Sequence, residues 1–148
     1  MDAYSSLFHE GIIDEIVLAG RKGWKMEDFL NGYLEEFLQH VHFTGFVDDE
    51  DLLAIYKFAK VFVFPSLYEG FGIPPLETLA CGTPVISSDA ASMPEVLGDN
   101  ALYFHSNDVT DLRGKLYQIN RSSNIVYENP MMKFNWKKSA GNLTENMN

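Results

Sequence analysis

Residues 61–88, VFVFPSLYEGFGIPPLETLACGTPVISS, decide the fold that we expect for this chain. An apolar run of strand length, residues 61–64, opens the stretch, and a glycine-bearing loop follows it. Pro74 and Pro75 suit the first turn of a helix, and Gly82 stands where that helix would end before a second strand. Strand, glycine loop, helix N-terminus and strand is the order with which open α/β sheets build an anion or nucleotide site.

The segments on either side of this stretch alternate between strand and helix patterns in the same way. Short β-branched and apolar runs predict strands, and apolar residues at helical spacing predict helices between them. Such alternation predicts an α/β fold, a parallel sheet with helices on both faces. The predicted strands are 16–19, 41–45 and 101–104, and the predicted helices are 1–11, 26–40, 48–60, 93–96 and 108–119.

The predicted strands end in turns that we expect to meet at one edge of the sheet. These turns are residues 20–23, 45–47, 65–72 and 87–89. In open parallel sheets, ligands bind beyond the carboxyl ends of the strands. The turns therefore predict where a site lies, without naming its chemistry. The domain is expected to span residues 1–120, and residues 121–148 are expected to form a loop and a C-terminal helix with a frayed end.

Composition narrows the class of protein. The 148 residues are 46% hydrophobic, and 21 acidic residues against 11 basic ones give a net charge of −10. That charge disfavours binding to nucleic acid or to an anionic membrane surface. Cys81 is the single cysteine, which excludes an internal disulfide and favours a reducing compartment. With neither a signal peptide nor an apolar run of membrane-spanning length in the sequence, we expect a cytoplasmic protein.

Two glutamates bracket the central loop, Glu69 and Glu77, with seven residues between them. Glu69 follows the strand, and Glu77 is expected in the first turn of the helix behind the loop. A carboxylate there can accept two hydrogen bonds from vicinal hydroxyls such as those of a ribose. The N–H groups of Gly72 and Ile73 can face a sugar or a phosphate. Equally, Glu77 could merely complement the helix dipole while Glu69 is solvated.

Residues 41–104, VHFTGFVDDED through GDNALYF, closely resemble the C-terminal, donor-binding domain of retaining glycosyltransferases of family 4, also called group 1. That family has the GT-B architecture, two Rossmann-like domains facing across a cleft. Its signature, PS-x-x-EGFG-x-x-x-LE-x-(x)-A-x-G-T-P-V, is matched here nearly throughout, with Thr78 at a position that is often Ala. The similarity covers about residues 12–120, and residues 134–138 resemble the closing helix of the family.

The resemblance implies a nucleotide-sugar donor substrate, a GDP- or UDP-hexose, with no further cofactor and no bound metal. Glu77 would hold the ribose hydroxyls, and Glu69 would lie by the transferred sugar as the catalytic position. The other implied donor-binding positions are Phe71, Gly72 and Ile73 toward the sugar and phosphates, Val47 toward the base, Gly20 and Arg21 toward the diphosphate, and Ser66 in the same loop.

The resemblance also implies two parts that this sequence does not contain. One is an N-terminal domain that would bind the acceptor, a glycan or a lipid. The other is the first strand of the donor domain, which would lie between the strands at 16–19 and 61–64, so that either these two strands pair directly or another segment or chain fills the gap. We therefore expect a glycosyltransferase fragment with weak donor binding and no transfer by itself. A non-catalytic nucleotide-sugar-binding or regulatory module, one half of a split enzyme and a purely structural Rossmann-like domain remain alternatives.

Overall fold

The computed structural model describes residues 1–13, 15–21, 23, 26–68, 71–90 and 92–121 of the chain. The predicted C-terminal helix, residues 136–143, lies outside these residues. None of the described helices is both long enough and apolar enough to cross a membrane. In chain order the elements are α1 (Asp2–His9), β1 (Ile16–Ala19), α2 (Met26–Leu30), α3 (Glu35–Leu38), β2 (Val41–Gly45), α4 (Asp49–Phe58), β3 (Phe62–Phe64), α5 (Ile73–Ala80), β4 (Val85–Ser88), α6 (Met93–Leu97), a 3₁₀ turn (Gly98–Asn100), β5 (Leu102–Phe104) and α7 (Val109–Arg121).

The strands pair in parallel, as the alternation of elements predicts, but they form two sheets. One sheet contains β1 and β2, and the other has the order β3-β4-β5. No strand pairing joins β1 to β3 within the described part of the chain. Of the two arrangements considered from the sequence, direct pairing of β1 with β3 is therefore not the one adopted.

Helices cover both faces of the β3-β4-β5 sheet, which confirms the predicted layering. The strands are short and mostly apolar, and β4 is buried along its whole length, as expected of a central parallel strand. On one face α5 and α6 pack over the strands, and on the other face α1 and α7 do so. The first core contains Leu76, Leu79, Val85, Met93, Val96, Leu97 and Ala101, and the second contains Ala3, Leu7, Ile86, Phe104, Leu116 and Ile119.

Helix α1 also links the larger sheet to the β1–β2 unit. The ring of Phe8 lies 5.5 Å from the ring of Phe37, between centroids, and 4.7 Å from the imidazole of His40. The Tyr33 hydroxyl donates a hydrogen bond to the Asp2 carboxylate, and burial, together with that bond, raises the pKa of Tyr33 to about 12. The two sheets are thus held together through side chains of the first helix.

The predicted helix over residues 26–40 is interrupted, which corrects the expectation of one continuous element. Helix α2 ends at Leu30, and the chain turns before α3 begins at Glu35. Asn31 and Gly32 stand at the break, and both residue types are poor helix formers. Leu34 adopts an extended conformation there and is 63% exposed.

Helix α4 begins where the sequence predicts. Asp48 is its N-cap, and Asp48 Oδ1 accepts a hydrogen bond from the Asp51 N–H at 3.0 Å. By contrast, Ser87 and Ser88 belong to the fully buried strand β4 and not to the turn predicted at 87–89. The strand extends through both serines because they pair with Tyr103 and Phe104 of β5.

We expect Leu97→Ala to destabilise the fold by about 2–5 kcal/mol, because Leu97 is fully buried and its truncation leaves a cavity. The measurement is the free energy of unfolding from urea denaturation. Leu53→Ala is the control, since Leu53 is half exposed on α4 and should lose less than about 1 kcal/mol. Equal losses in the two variants would contradict the described core.

Candidate functional site

The loop that follows β3 is tied to the neighbouring strand. The Ser88 hydroxyl donates a hydrogen bond to the main-chain oxygen of Ser66. The Ser66 hydroxyl in turn donates to the main-chain oxygen of Tyr68 at 3.3 Å. Ser66 is thereby held at the carboxyl end of the larger sheet, where the sequence places it. Glu69 and Gly70 lie outside the described residues, so the structure does not test the position of Glu69.

Gly72 is the point at which this loop becomes helix α5. It is buried, it is the N-cap of α5, and it has the left-handed conformation with φ 69° and ψ 53°. A Cβ at this position would lie 2.5 Å from Cε and 2.8 Å from Sδ of Met93. Two constraints therefore require glycine here, the backbone conformation and the contact with α6.

The first turn of α5 offers few N–H groups and carries exposed apolar side chains. Pro74 and Pro75 occupy it, as predicted, and prolines carry no N–H group. A ligand at this turn could therefore accept hydrogen bonds only from the N–H groups of the residues that are not proline. The side chains of Phe71 and Ile73, at the start of the turn, are 38% and 59% exposed.

Glu77 lies in the second turn of α5, not in the first as predicted, because the helix begins at Ile73. Its side chain is exposed. Helix-dipole effects fall off within the first turn. The position of Glu77 therefore disfavours the alternative in which its carboxylate only complements the helix dipole. The carboxylate lies near the buried phenol of Tyr56, whose pKa is raised by burial, by Glu77 and by Cys81. Helix α4 thus supports the helix that carries Glu77.

A second group of predicted residues meets at the carboxyl ends of β1 and β2. Gly20 and Gly45 form an antiparallel bridge, and the Gly20 N–H donates to Thr44 Oγ1 at 3.2 Å. Both glycines have positive φ, 123° and 70°. Arg21 follows with an exposed side chain. The structure therefore brings Gly20, the first residue of the predicted 20–23 turn, next to Gly45 of the 45–47 turn.

An open cavity of about 470 Å³ adjoins this second group. It lies where β2 leads into α4, and Val47 is part of its wall. The other predicted positions belong to the loop and helix after β3, so the site has one part on each sheet. The lining residues of the cavity are Thr44, Phe46, Val47, Asp48, Asp51, Ala54 and Ile55.

The sequence analysis missed the turn after β5, which carries a polar network. Asp111 accepts hydrogen bonds from the main-chain N–H and from Nδ1 of His105, both at 2.8 Å. Asp89 accepts from the N–H and the hydroxyl of Ser106, both at 3.0 Å. Asn107, at φ 66°, completes the turn. Only the position of this turn in the sequence could have indicated it, because it directly follows the strand predicted at residues 101–104.

The network shifts three pKa values. Hydrogen bonding to Asp111 raises the pKa of His105, with Asp89 acting in the same direction. The hydrogen bonds from His105 lower the pKa of Asp111, and those from Ser106 lower the pKa of Asp89. A smaller cavity, about 210 Å³, borders this network and is lined by Pro65, Leu67, Ser88, Phe104, Ser106, Asn107, Asp108, Val109 and Leu112.

A further cluster that the sequence analysis missed lies at the opposite end of β1. Glu15 Oε1 is 3.0 Å from His40 Nδ1, and Glu15 Oε2 is 2.5 Å from His42 Nε2. These contacts lower the pKa of the Glu15 carboxyl. His40 and His42 are two apart, so they project to one face of the extended chain. Among the described residues, no three His, Cys, Asp or Glu side chains are grouped so as to hold a metal ion.

We expect Gly72→Ala to destabilise the protein more than Gly82→Ala does. Both glycines have positive φ, but a Cβ at Gly72 meets Met93, whereas one at Gly82 meets nothing within 4 Å. The loss for Gly82→Ala should be about 1–2 kcal/mol from the left-handed backbone alone. Urea denaturation measures both, and the double variant Gly72→Ala/Met93→Ala shows whether the contact causes the excess. Equal losses for the two single variants would contradict the Met93 contact.

We expect the imidazole of His105 to titrate above its ordinary pKa of 6.5. Asp111→Asn should bring the midpoint down, since it removes the charged acceptor. The stabilisation from the pair is then complete below pH 6.5, where His105 is protonated in the folded and the unfolded chain, and is lost as pH rises through the raised pKa. At the acid end it is lost as Asp111, whose pKa lies below its ordinary 3.8, is protonated.

The measurement is an NMR titration of the imidazole protons, with His105→Gln assigning the signal. Asp99→Asn serves as the control, because it removes the same charge from a side chain that does not act on His105. A midpoint that Asp111→Asn leaves unchanged would contradict the described pair.

Comparisons with known proteins bear on both halves of this site. Residues 15–130 match the family described as "Glycosyl transferases group 1". "O-antigen chain mannosyltransferase B" of Escherichia coli is 41% identical over 105 residues, which are 70% of this chain and 27% of that protein. "O-antigen chain mannosyltransferase RfbU" of Salmonella typhimurium is 32% identical over 132 residues, 86% of this chain and 37% of that protein. The chain therefore spans well under half the length of these relatives.

The fold has counterparts among solved structures. A sucrose-phosphate synthase from Thermosynechococcus elongatus superposes with a TM-score of 0.70 at 24% identity, over 98% of this chain and 42% of that one. At this identity the likeness concerns the fold alone, and it agrees with a Rossmann-like domain of the GT-B kind. The family match covers both sheets and the loop between β3 and α5. This chain is a member of the group 1 glycosyltransferase family.

Proposed function

We propose that this chain is the donor-binding part of an enzyme that transfers a hexosyl group from a nucleotide-diphospho-sugar to an acceptor, with retention at the anomeric carbon. Membership of the group 1 family over residues 15–130 is the observation that carries the proposal. The relatives named as mannosyltransferases favour mannose as the sugar.

Glu77 is proposed to hold the two ribose hydroxyls of the donor. A carboxylate offers two oxygens to two vicinal donors, and such charge-assisted bonds are strong. Its exposed position in the second turn of α5 supports this role, because the helix dipole stabilises a carboxylate little beyond the first turn. The Tyr56 phenol of α4 lies close enough for the Glu77 carboxylate to contribute to its raised pKa.

The loop after β3 is proposed to face the sugar and the phosphates. Ser66 is held by its bond from Ser88, and Gly72 lies so close to Met93 that no Cβ would fit, so we expect the main chain of Phe71, Gly72 and Ile73 to be positioned before a ligand arrives. Such preorganisation is what stabilises developing charge in a transition state. Glu69 is proposed, by the resemblance, to lie beside the transferred sugar in the same loop.

The diphosphate and the base are proposed to lie toward the other sheet. Gly20 allows a close approach of the main chain, and Arg21 brings an exposed cation next to it. Val47 belongs to the wall of the cavity that would receive the base. A chain with a net charge of −10 needs such local donors for an anionic ligand.

Transfer requires that the bond from the anomeric carbon to the diphosphate oxygen break while the acceptor oxygen bonds to the same carbon on the same face. The leaving diphosphate oxygen can itself guide the acceptor and take its proton, so a protein nucleophile is unnecessary. The main task of the chain is then to stabilise the negative charge of that diphosphate. The acceptor, a glycan or a lipid, is proposed to be held by a separate N-terminal domain, and the enzyme to work in the cytoplasm.

Two alternatives are a non-catalytic nucleotide-sugar-binding module and one half of a split enzyme completed by another polypeptide. An assay of sugar transfer after an acceptor domain is added distinguishes these alternatives. A binding module would hold the donor without turnover, whereas half of a split enzyme would become active.

We expect Glu77→Ala to weaken binding of nucleoside diphosphates about tenfold, because a hydrogen bond to a charged group contributes about 1.5 kcal/mol or more. Chemical-shift titration of the labelled chain with GDP and UDP measures the affinity even when it is weak. Glu95→Ala is the control, because it removes the same charge from an exposed glutamate of α6 that is not among the predicted donor-binding residues. Unchanged affinity in Glu77→Ala, with a folded chain, would refute the ribose role.

A further inference from the structure

Tyr56 of α4 carries a hydroxyl group that the packing of the domain does not require. The residue is buried, with 4% of its surface exposed, and its ring packs edge-on against Phe62 of β3 with 5.3 Å between the centroids. A phenylalanine would fill the same space without a polar atom. The hydroxyl has no hydrogen-bond partner among the described residues, and a buried donor without a partner destabilises a fold. Such a group indicates a role outside packing.

Contacts of the main chain hold this residue in place. The main-chain oxygen of Tyr56 accepts hydrogen bonds from the Thr83 hydroxyl at 2.6 Å and from the Ala59 N–H at 3.3 Å. The first of these bonds ties α4 to the start of β4, and α4 also packs on α5. Because the ring is buried and its backbone is bonded on two sides, we expect the phenol to keep its orientation when a ligand binds.

The phenol meets one face of α5. Glu77 and Cys81 stand four residues apart on this helix, so their side chains share a face. Burial, Glu77 and Cys81 all raise the pKa of Tyr56, which agrees with a phenol that lies beside that face. A thiol sulfur accepts hydrogen bonds only weakly, whereas a carboxylate accepts them strongly. The Glu77 carboxylate is therefore the better acceptor for the Tyr56 hydroxyl.

The Glu77 side chain needs such a partner if it is to hold two hydroxyls at once. It is exposed and forms no hydrogen bond or ion pair within the described part of the chain. An exposed glutamate samples several rotamers, and a ligand that fixes one of them opposes that entropy. The two oxygens of a carboxylate offer about four lone-pair positions, so a phenol and two ribose hydroxyls can donate to it together. A bond from a rigid neighbour would reduce the entropy that ligand binding must overcome.

We propose that Tyr56 is a positioning residue for Glu77, and that its hydroxyl donates to the Glu77 carboxylate in the nucleotide-bound state and aims the two oxygens at the ribose. This inference rests on the proposed function, because it explains how the exposed Glu77 side chain is oriented for its proposed ribose role. It gives a part in donor binding to a buried residue of α4, outside the glycine loop and outside α5.

Tyr56→Phe tests the proposal, because it removes the hydroxyl and keeps the ring. Chemical-shift titration of the 148-residue chain should show about three- to tenfold weaker binding of GDP or UDP, whichever binds more tightly. The urea midpoint of the free variant should not fall, since the hydroxyl has no hydrogen bond to lose among the described residues. Tyr117→Phe is the matched control. It removes the same group from α7, where the hydroxyl accepts from Arg121 at 2.9 Å, and it should leave nucleotide binding unchanged.

Two further titrations separate positioning from a purely structural effect. In the Glu77→Ala background, Tyr56→Phe should cause no additional loss of affinity. The 2′,3′-dideoxy form of the same nucleotide offers Glu77 no hydroxyl, so it should bind Tyr56→Phe and the unaltered chain equally. A loss that persists in either titration overturns the inference, and so does unchanged affinity in Tyr56→Phe, while the proposed function stands. Binding of neither GDP nor UDP by a folded chain overturns the proposed function and the inference with it.

Discussion

The contact between Gly72 and Met93 constrains the rest of the larger sheet and of the candidate site. The chain enters α5 at Gly72 close to the Met93 side chain, where a Cβ would lie 2.5 Å from Cε. Met93 is itself buried with Leu76, Leu79 and Leu97. The loop that would face a sugar is therefore positioned by the hydrophobic core, and its geometry and the stability of the domain depend on the same atoms.

The two halves of the candidate site depend on helix packing, because they belong to different sheets. Helix α1 contacts α3 on one side and α7 on the other, and α4 packs on α5. A buried hydrogen bond from the Thr83 hydroxyl to the main-chain oxygen of Tyr56, 2.6 Å long, joins the start of β4 to α4. Through these contacts the 45–47 turn is related to the helix that carries Glu77, without a strand pairing between β1 and β3.

Acidic and basic groups occupy different parts of the proposed site. The chain is acidic overall, and the cavity at the end of β2 is lined by acceptors, whereas the proposed diphosphate position has Arg21 and main-chain N–H groups. An acidic chain can hold an anionic donor if the cations and N–H groups are local to the phosphates and the carboxylates meet the hydroxyls.

Sequence by itself determined the parallel α/β class, the start of α4 at residues 48–49, the prolines of the first turn of α5 and the family, because these follow from local spacing and from a long motif. It misplaced Glu77 by one turn and joined α2 to α3, since the first helical residue and the break at Asn31 and Gly32 depend on contacts that periodicity does not report. Only the tertiary structure decided that β1 and β3 do not pair among the described residues and that Met93 lies under Gly72. Those features arise from packing between segments that are far apart in the chain, where spacing carries no information.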